Sequence, residues 1–168
     1  MIIGIDPGIN GGVAFLSADR LDIFDIPVIE SFKSTHTKSG NYKKRREVDC
    51  LKLDRLLSEY SREQVELIVM EKVAAMPGQG VSSMFSFGQS VGRIEGVIMP
   101  MYPTDPIVYV SPIVWKKYHG LIKTDKYAAV ELCRQKYPGL SDSFLKSKDG
   151  RADAVLIAEY GRSIKKGC

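Results

Sequence analysis

Cysteine, histidine and tryptophan are scarce in this 168-residue sequence, which contains three cysteines, two histidines and one tryptophan. The cysteines, Cys50, Cys133 and Cys168, are far apart in the sequence, and no CxxC pair occurs. This pattern argues against a disulfide framework and against a structural zinc site of cysteine and histidine ligands.

Long apolar runs are also absent. No stretch approaches the roughly 20 consecutive apolar residues that a membrane-spanning helix needs. The opening residues, MIIGIDPG, have neither the basic region nor the cleavable apolar region of a signal peptide. The GxxxxGK[ST] motif of a P-loop does not occur. We therefore expect a cytoplasmic protein without a membrane partner or a nucleotide cofactor.

The remaining composition is that of an ordinary globular protein, with 44% hydrophobic and 26% charged residues. The length predicts a single domain over residues 1–168. The net charge is +4, and the basic residues are unevenly distributed. Residues 33–46 hold six of them and no acid: Lys33, Lys38, Lys43, Lys44, Arg45 and Arg46. Such a segment is either a binding site for a polyanion or a solvated loop with no specific partner.

Hydrophobic patterning predicts the order of the secondary structure. Three short apolar runs within residues 1–27 predict strands joined as hairpins, whereas residues 28–46 show no periodicity and predict irregular structure. VELIVM predicts a strand buried on both faces, and PIVYV predicts a shorter one. The predicted helices cover 49–62, 81–99 with Pro100 as its stop, a segment starting at Ser111-Pro112, 124–136 with Thr124 as its cap, and 150–165. This order predicts an α/β fold with one mixed sheet flanked by helices.

Two acidic residues end the two most apolar predicted strands: Asp6 follows MIIGI, and Glu71 follows VELIVM. Ligands of α/β proteins bind at the carboxyl ends of strands. Neighbouring strands lie about 4.8 Å apart, so both carboxylates reach one ion if these strands are adjacent. The alternatives are a turn residue for Asp6 and a surface charge for Glu71.

The start of the last predicted helix carries two more acids, Asp149 and Asp153, which are four residues apart and share a helix face. Asp153 faces inward with Ala154, Ile157 and Ala158, and a buried carboxylate needs a partner. Oxygen ligands without histidine or cysteine favour Mg²⁺ or Mn²⁺, and this many carboxylates suffice for two ions about 4 Å apart. Such an arrangement hydrolyses phosphodiesters. Asp149 is alternatively only a helix cap.

Four segments together resemble the RuvC family of Holliday junction resolvases, most closely its phage-type members. They are GIDPG with GGVA at residues 4–14, MEKV at 70–73, FSFG through to GV at 85–97, and DGRADA at 149–154. The resemblance covers most of the chain in the family's order. It implies an RNase H-like fold with a mixed five-stranded sheet, a homodimer in a bacterial or phage-infected cell, and paired nicks in four-way DNA junctions with Mg²⁺ or Mn²⁺.

By position, Asp6, Glu71 and Asp153 match the family's first, second and last catalytic acids and metal ligands. The family's third acid stands three residues before the last one, where this chain has Gly150. Asp149, four residues before, lies on the same helix face and is the expected substitute.

The resemblance also implies which residues contact DNA. Lys116, Lys117, Lys123 and Lys126 match the stretch in which RuvC-like proteins contact phosphates near the scissile bond, with a solvated helix face as the alternative. Basic residues of the segment noted above join them, namely Lys43, Lys44, Arg45 and Arg46. The family has an aromatic wedge where this chain has Ala74, so nearby Met76 is the candidate contact at the junction.

Two other motifs point elsewhere. Gly88-Gln89-Ser90-Val91-Gly92 matches the GxSxG nucleophile elbow but lies within a predicted helix. With Gly96 it forms a stripe of small residues, which predicts close helix packing in the core or at a dimer interface that includes Met84, Phe85 and Phe87. IDPGINGG resembles the phosphate hairpin of actin-like ATPases, which need a second domain.

Three alternative functions remain open for the predicted site. One is a broader debranching nuclease for flaps, forks and replication intermediates, and another is a YqgF-like nuclease for structured RNA. The third is a catalytically silent module that only binds junctions.

Overall fold

The structure is a computed structural model that describes residues 1–36, 42–74, 78, 80–102 and 107–166. Within these ranges there are seven strands: β1 (Ile2–Asp6), β2 (Gly12–Leu16), β3 (Leu21–Asp25), β4 (Val28–His36), β5 (Tyr42–Val48), β6 (Leu67–Glu71) and β7 (Ile107–Val110). The α-helices of the same ranges are α1 (Cys50–Ser58), α2 (Val81–Met101), α3 (Pro112–Tyr118), α4 (Ala128–Lys136) and α5 (Asp149–Lys166). Among the helices of these residues, none is long and apolar enough to cross a membrane.

Five of the strands form a mixed sheet in the order β3-β2-β1-β6-β7. The first three strands are antiparallel, whereas β1, β6 and β7 run parallel to one another. This confirms the predicted α/β class and the five-stranded sheet. Because Ile5 pairs with Met70, the ends of β1 and β6 lie side by side at one edge of the sheet.

The two faces of the sheet are covered by different helices. Ile3 and Ile5 of β1 pack with residues of α1 and α2 in one buried cluster. Ile2 of β1 packs on the opposite face, in a cluster that includes residues of α3, α4 and α5. Gly4 lets α5 approach β1 closely, since a Cβ atom there would lie 2.5 Å from the backbone nitrogen of Ala158. This close approach places the start of α5 beside the carboxyl end of β1.

The structure corrects the prediction that residues 28–46 are irregular. β4 and β5 form a separate antiparallel hairpin, with Val28 opposite Val48 and Phe32 opposite Lys44. The hairpin lacks a clear apolar alternation because much of its surface is exposed: Ile29 is 53% exposed and Phe32 is 67% exposed. A basic residue of β5 also forms an ion pair with an acid that is distant in sequence: Lys44 Nζ lies 2.7 Å from Glu30 Oε2.

Three predicted helix ends were wrong. α1 ends at Ser58 and not at residue 62. α2 continues through Pro100 to Met101, where the proline lies in the last turn and removes little of the helical hydrogen bonding. α4 begins at Ala128 instead of Thr124. Thr124 does not cap it, because its Oγ1 donates back to the carbonyl of Leu121, and Asp125 Oδ1 accepts from the backbone N–H of Tyr127 at 2.8 Å in a turn that precedes the helix.

Candidate active site

The acids predicted from the ends of β1 and β6 lie next to each other. The register that pairs Ile5 with Met70 places Asp6 and Glu71 at adjacent positions on the same sheet edge. The three residues before each acid are apolar and buried, and each acid is partly exposed at the end of its strand. The sheet therefore brings two carboxylates together where its strands end.

Helix α5 adds the other two predicted acids. Asp149 is its first residue, and Asp153 lies one turn further along, between the buried Ala152 and Ala154. The charges of Asp153, Glu71 and Asp149 all act on Asp6. The other three predicted acids are thus within electrostatic range of Asp6, although the four come from three separate elements.

Burial disfavours the ionised form of three of these carboxyls, Asp6, Glu71 and Asp153, and repulsion from neighbouring acids adds to it at Asp6 and Asp153. Burial raises the pKa of Asp6 well above its usual range, and the charges of Asp153, Glu71 and Asp149 raise it further. Burial raises the pKa of Asp153 to about 6, against the opposing charge of Lys116. The pKa of Glu71 is also raised by burial, and it is held down in part by a hydrogen bond from Trp115.

The donor set fits a hard divalent cation. Among the described residues, none donates a hydrogen bond to the carboxylate of Asp6 or Asp153, so the charge of Lys116 is opposed to their burial without any hydrogen bond. The same residues contain no group of three acids, histidines or cysteines already drawn close enough to hold an ion. The acids are therefore near one another but not at the spacing of a complete metal-coordination site. Their carboxylate oxygens are the ligand type that Mg²⁺ and Mn²⁺ prefer.

The structure explains why an acid is at Asp149 and not one residue later. A Cβ atom on Gly150 would lie 2.6 Å from the Cα atom of Gly11, so no side chain fits there. Asp149 itself has helical angles, with φ −59° and ψ −30°. Its carboxylate accepts no capping hydrogen bond from the described backbone. It lies 3.6 Å from Lys126 Nζ instead.

A cavity of about 240 Å³ opens beside Asp149 and Asp153. Two of the predicted DNA-binding lysines, Lys116 and Lys126, line it. The positive charge of Lys116 also lowers the pKa of Asp6, Glu71 and Asp153, and so offsets part of the effect of their burial. The cavity therefore combines acids with cations, as a site for a phosphodiester and its metal ions requires. Two other predicted contacts, Lys117 and Lys123, are exposed and are not part of its lining.

The basic residues of β5 have three different environments. Arg46 reaches the turn after β1, where its Nη1 donates to Asn10 Oδ1 at 3.1 Å and its Nη2 donates to the carbonyl of Ile9 at 3.3 Å. Arg45 faces α2, with a hydrogen bond to Gln89 and an ion pair of 3.2 Å with Glu47. Lys44 is exposed in its pair with Glu30. The side chain of Lys43 and the whole of Met76 lie outside the described residues.

Two contacts at the site were not predicted. Trp115 Nε1 donates a 2.8 Å hydrogen bond to Glu71 Oε2. Asp25 at the end of β3 accepts from Arg151 at 2.6 Å and 2.9 Å and also from Lys148, so it holds both flanks of the start of α5. The only sequence signals were the single tryptophan and the cations that surround Asp149.

The glycine stripe of α2 is not part of the core. A Cβ atom added to Gly88, Gly92 or Gly96 would meet nothing within 4 Å, and Phe85 on the same helix is 66% exposed. Ser90, the centre of the GxSxG match, lies inside α2, where its hydroxyl donates to the carbonyl of Ser86. The nucleophile elbow is therefore absent there, and the stripe is an uncovered surface.

Comparison with solved structures adds independent information. A structure of RuvC from Thermus thermophilus has a TM-score of 0.52 and 18% sequence identity, over 99% of this chain and 96% of that chain. The chain has the fold of RuvC. A second structure, of T. thermophilus RuvC in complex with a Holliday junction substrate, also has a TM-score of 0.52, with 14% identity over 96% of this chain and 94% of that chain. No protein-family model matches the sequence, and neither does any curated protein. The RuvC-like fold expected from the four motifs is confirmed.

Proposed function

We propose that this protein is a metal-dependent endonuclease that resolves four-way DNA junctions by paired symmetric nicks. The observation that carries the proposal is a set of four acids around Asp6. Asp6 and Glu71 end adjacent strands, and Asp149 and Asp153, which act on Asp6, line a cavity with Lys116 and Lys126. The chain is similar in structure to T. thermophilus RuvC, one structure of which is a complex with a Holliday junction substrate, and this supports branched DNA as the proposed substrate.

Asp6, Glu71 and Asp153 are the proposed ligands of Mg²⁺ or Mn²⁺, and Asp149 completes the set for two ions. When bound, the ions supply Lewis-acid polarisation of the phosphate and an acidified water molecule. Lys116, which lines the cavity, is the proposed stabiliser of negative charge on the phosphate, and Lys126, which pairs with Asp149, is the proposed contact to the DNA backbone. The proposed product is a nick with a 5′ phosphate and a 3′ hydroxyl.

The proposed partner of each active site is a second copy of the chain. Two scissile strands related by a two-fold axis are served by two identical sites. The stripe of Gly88, Gly92 and Gly96 on α2 supports this arrangement, since it is uncovered in the single chain and permits close backbone approach. Membership of the phage-type group stays a prediction.

The test compares an end-labelled four-way junction with a linear duplex, a flap and a fork of matched sequence, each with Mg²⁺ or EDTA. We expect paired nicks in the junction with Mg²⁺ only, and none with Asp6→Asn, which retains junction binding. Equal cutting of flaps and forks would favour the debranching nuclease. Metal-independent binding without nicks would leave a junction-binding module, and full cleavage by Asp6→Asn would refute the proposed active site.

A further inference from the structure

Trp115 connects the hydrophobic core to the acids of the candidate active site. It is the only tryptophan of the chain, and its side chain is fully buried in the hydrophobic cluster that includes residues of α3, α4 and α5. An indole has one polar atom, which is a donor, so a buried tryptophan needs an acceptor. The acceptor is Oε2 of Glu71, at 2.8 Å.

This hydrogen bond joins two elements that meet only in the folded protein. Glu71 ends β6, and Trp115 belongs to α3, 44 residues later. A glutamate at a strand end has several side-chain rotamers, and a fixed donor on one oxygen selects among them. Oε1 of Glu71 accepts no hydrogen bond from the described part of the chain, which leaves it available to a cation.

The same indole also contacts the neighbouring lysine. Lys116 Nζ lies 5.1 Å from the centre of the Trp115 ring, within the range of a cation–π interaction. Lys116 lines the cavity beside the acids. The indole of Trp115 therefore contacts two residues of the proposed site. Its N–H edge holds Glu71, a proposed metal ligand, and the face of its ring contacts Lys116, a proposed phosphate contact.

We propose that Trp115 is a positioning residue of the active site, which orients Glu71 for cation binding and supports Lys116 over its ring. The inference rests on the proposed function, because it takes Glu71 to be a metal ligand. Partners that orient metal ligands contribute roughly 10- to 100-fold to metal affinity. A tryptophan that only filled the core would contribute to stability and not to metal affinity.

The first test uses Trp115→Phe, which keeps a buried aromatic ring and removes the N–H donor. We expect Mn²⁺ binding, measured by titration calorimetry on the full chain, to weaken roughly 10- to 100-fold. The Mg²⁺ concentration for half-maximal nicking should rise, while junction affinity in EDTA should be unchanged. Phe144→Leu is the matched control, because Phe144 is a fully buried aromatic residue of the same cluster. It should lower the melting temperature without changing Mn²⁺ affinity.

The second test needs no variant at position 115. A chain with one tryptophan gives one indole N–H cross-peak in a ¹H–¹⁵N spectrum, so its assignment is unambiguous. We expect this peak to move as Mg²⁺ is added to the wild-type protein and to stay in place when Mg²⁺ is added to Glu71→Gln.

The outcomes distinguish a failure of the proposed role of Trp115 from a failure of the proposed nuclease function. Wild-type Mn²⁺ affinity in folded Trp115→Phe, or an indole peak unmoved by saturating Mg²⁺, would overturn the role of Trp115 and leave the nuclease intact. Absence of both Mn²⁺ binding and nicking in the wild-type protein would overturn the proposed function, and the inference with it.

Discussion

Gly150 at the start of α5 lies against Gly11 in the turn between β1 and β2, and the two residues form an isolated parallel bridge. The added Cβ atom of any other residue at position 150 would lie 2.6 Å from Gly11 Cα. This contact fixes the first turn of α5, and with it Asp149 and Asp153, beside the end of β1 that carries Asp6.

Replacing Gly150 with alanine should therefore destabilise the protein. Because the clash is with backbone and not with a flexible side chain, we expect a loss of about 3 kcal/mol in the free energy of unfolding, equivalent to about 6–12 °C in Tm. Gly139→Ala is the control, since a Cβ atom there meets nothing within 4 Å. Thermal unfolding followed by circular dichroism makes the comparison, and equal melting temperatures would contradict the packing argument.

Asp153→Asn should stabilise the protein in EDTA. The folded-state pKa of Asp153 is about 6, above its usual 3.8, so the protonated carboxyl favours the folded state. That stabilisation is fully present below about pH 4 and is lost as the pH rises through 6. At pH 7 we expect Asn to raise the free energy of unfolding by about 2–3 kcal/mol, and the exposed Asp142→Asn to leave it unchanged. A melting temperature for Asp153→Asn that does not exceed that of the wild type at pH 7 would count against this prediction.

The pH dependence of nicking should follow the same carboxyl. A proton and a cation compete for Asp153, so with limiting Mg²⁺ the single-turnover rate should rise as the pH increases through about 6. More Mg²⁺ should move the midpoint to lower pH, because a nearby cation lowers a carboxyl pKa. A midpoint that is independent of Mg²⁺ concentration would show that another group limits the rate.

Much of the fold and all four acids follow from local patterns, Asp149 and Asp153 because they share one face of the last predicted helix. Asp6 and Glu71 are visible because each ends an apolar run, and such runs predict buried strands. The hairpin of β4 and β5 was missed because its charges are compensated across strands, as between Glu30 and Lys44, and this pairing cannot be read from neighbouring residues. The contact of Trp115 with Glu71 was missed for the same reason, since it depends on where α3 packs.

Lys116 and Lys117 are adjacent in sequence and should differ in function. Lys116 lines the cavity and acts on three acids, whereas Lys117 is exposed outside the lining. We expect Lys116→Ala to lower the single-turnover nicking rate roughly 100- to 1,000-fold, as loss of one transition-state donor does. Lys117→Ala should at most reduce the slope of log affinity against log salt by about 1. Equal nicking rates in the two variants would remove Lys116 from the proposed mechanism.

The exposed glycine stripe of α2 predicts that a substitution there changes dimer formation without destabilising the single chain. Since a Cβ atom on Gly92 would meet nothing within 4 Å, Gly92→Glu should not lower the Tm of the single chain, and the loss of a glycine from the helix interior should raise it slightly. In a dimer that buries this stripe, the same glutamate would place two like charges at the interface and keep the helices apart.

We therefore expect the wild type to sediment as a dimer at micromolar concentration and Gly92→Glu to sediment as a monomer. The exposed Gly139→Glu is the control and should remain dimeric. Since two coupled cuts require two sites on one junction, the monomeric variant should give single, uncoupled nicks. A Gly92→Glu dimer with paired nicks would place the two-fold interface on another surface of the molecule, while leaving each active site as described.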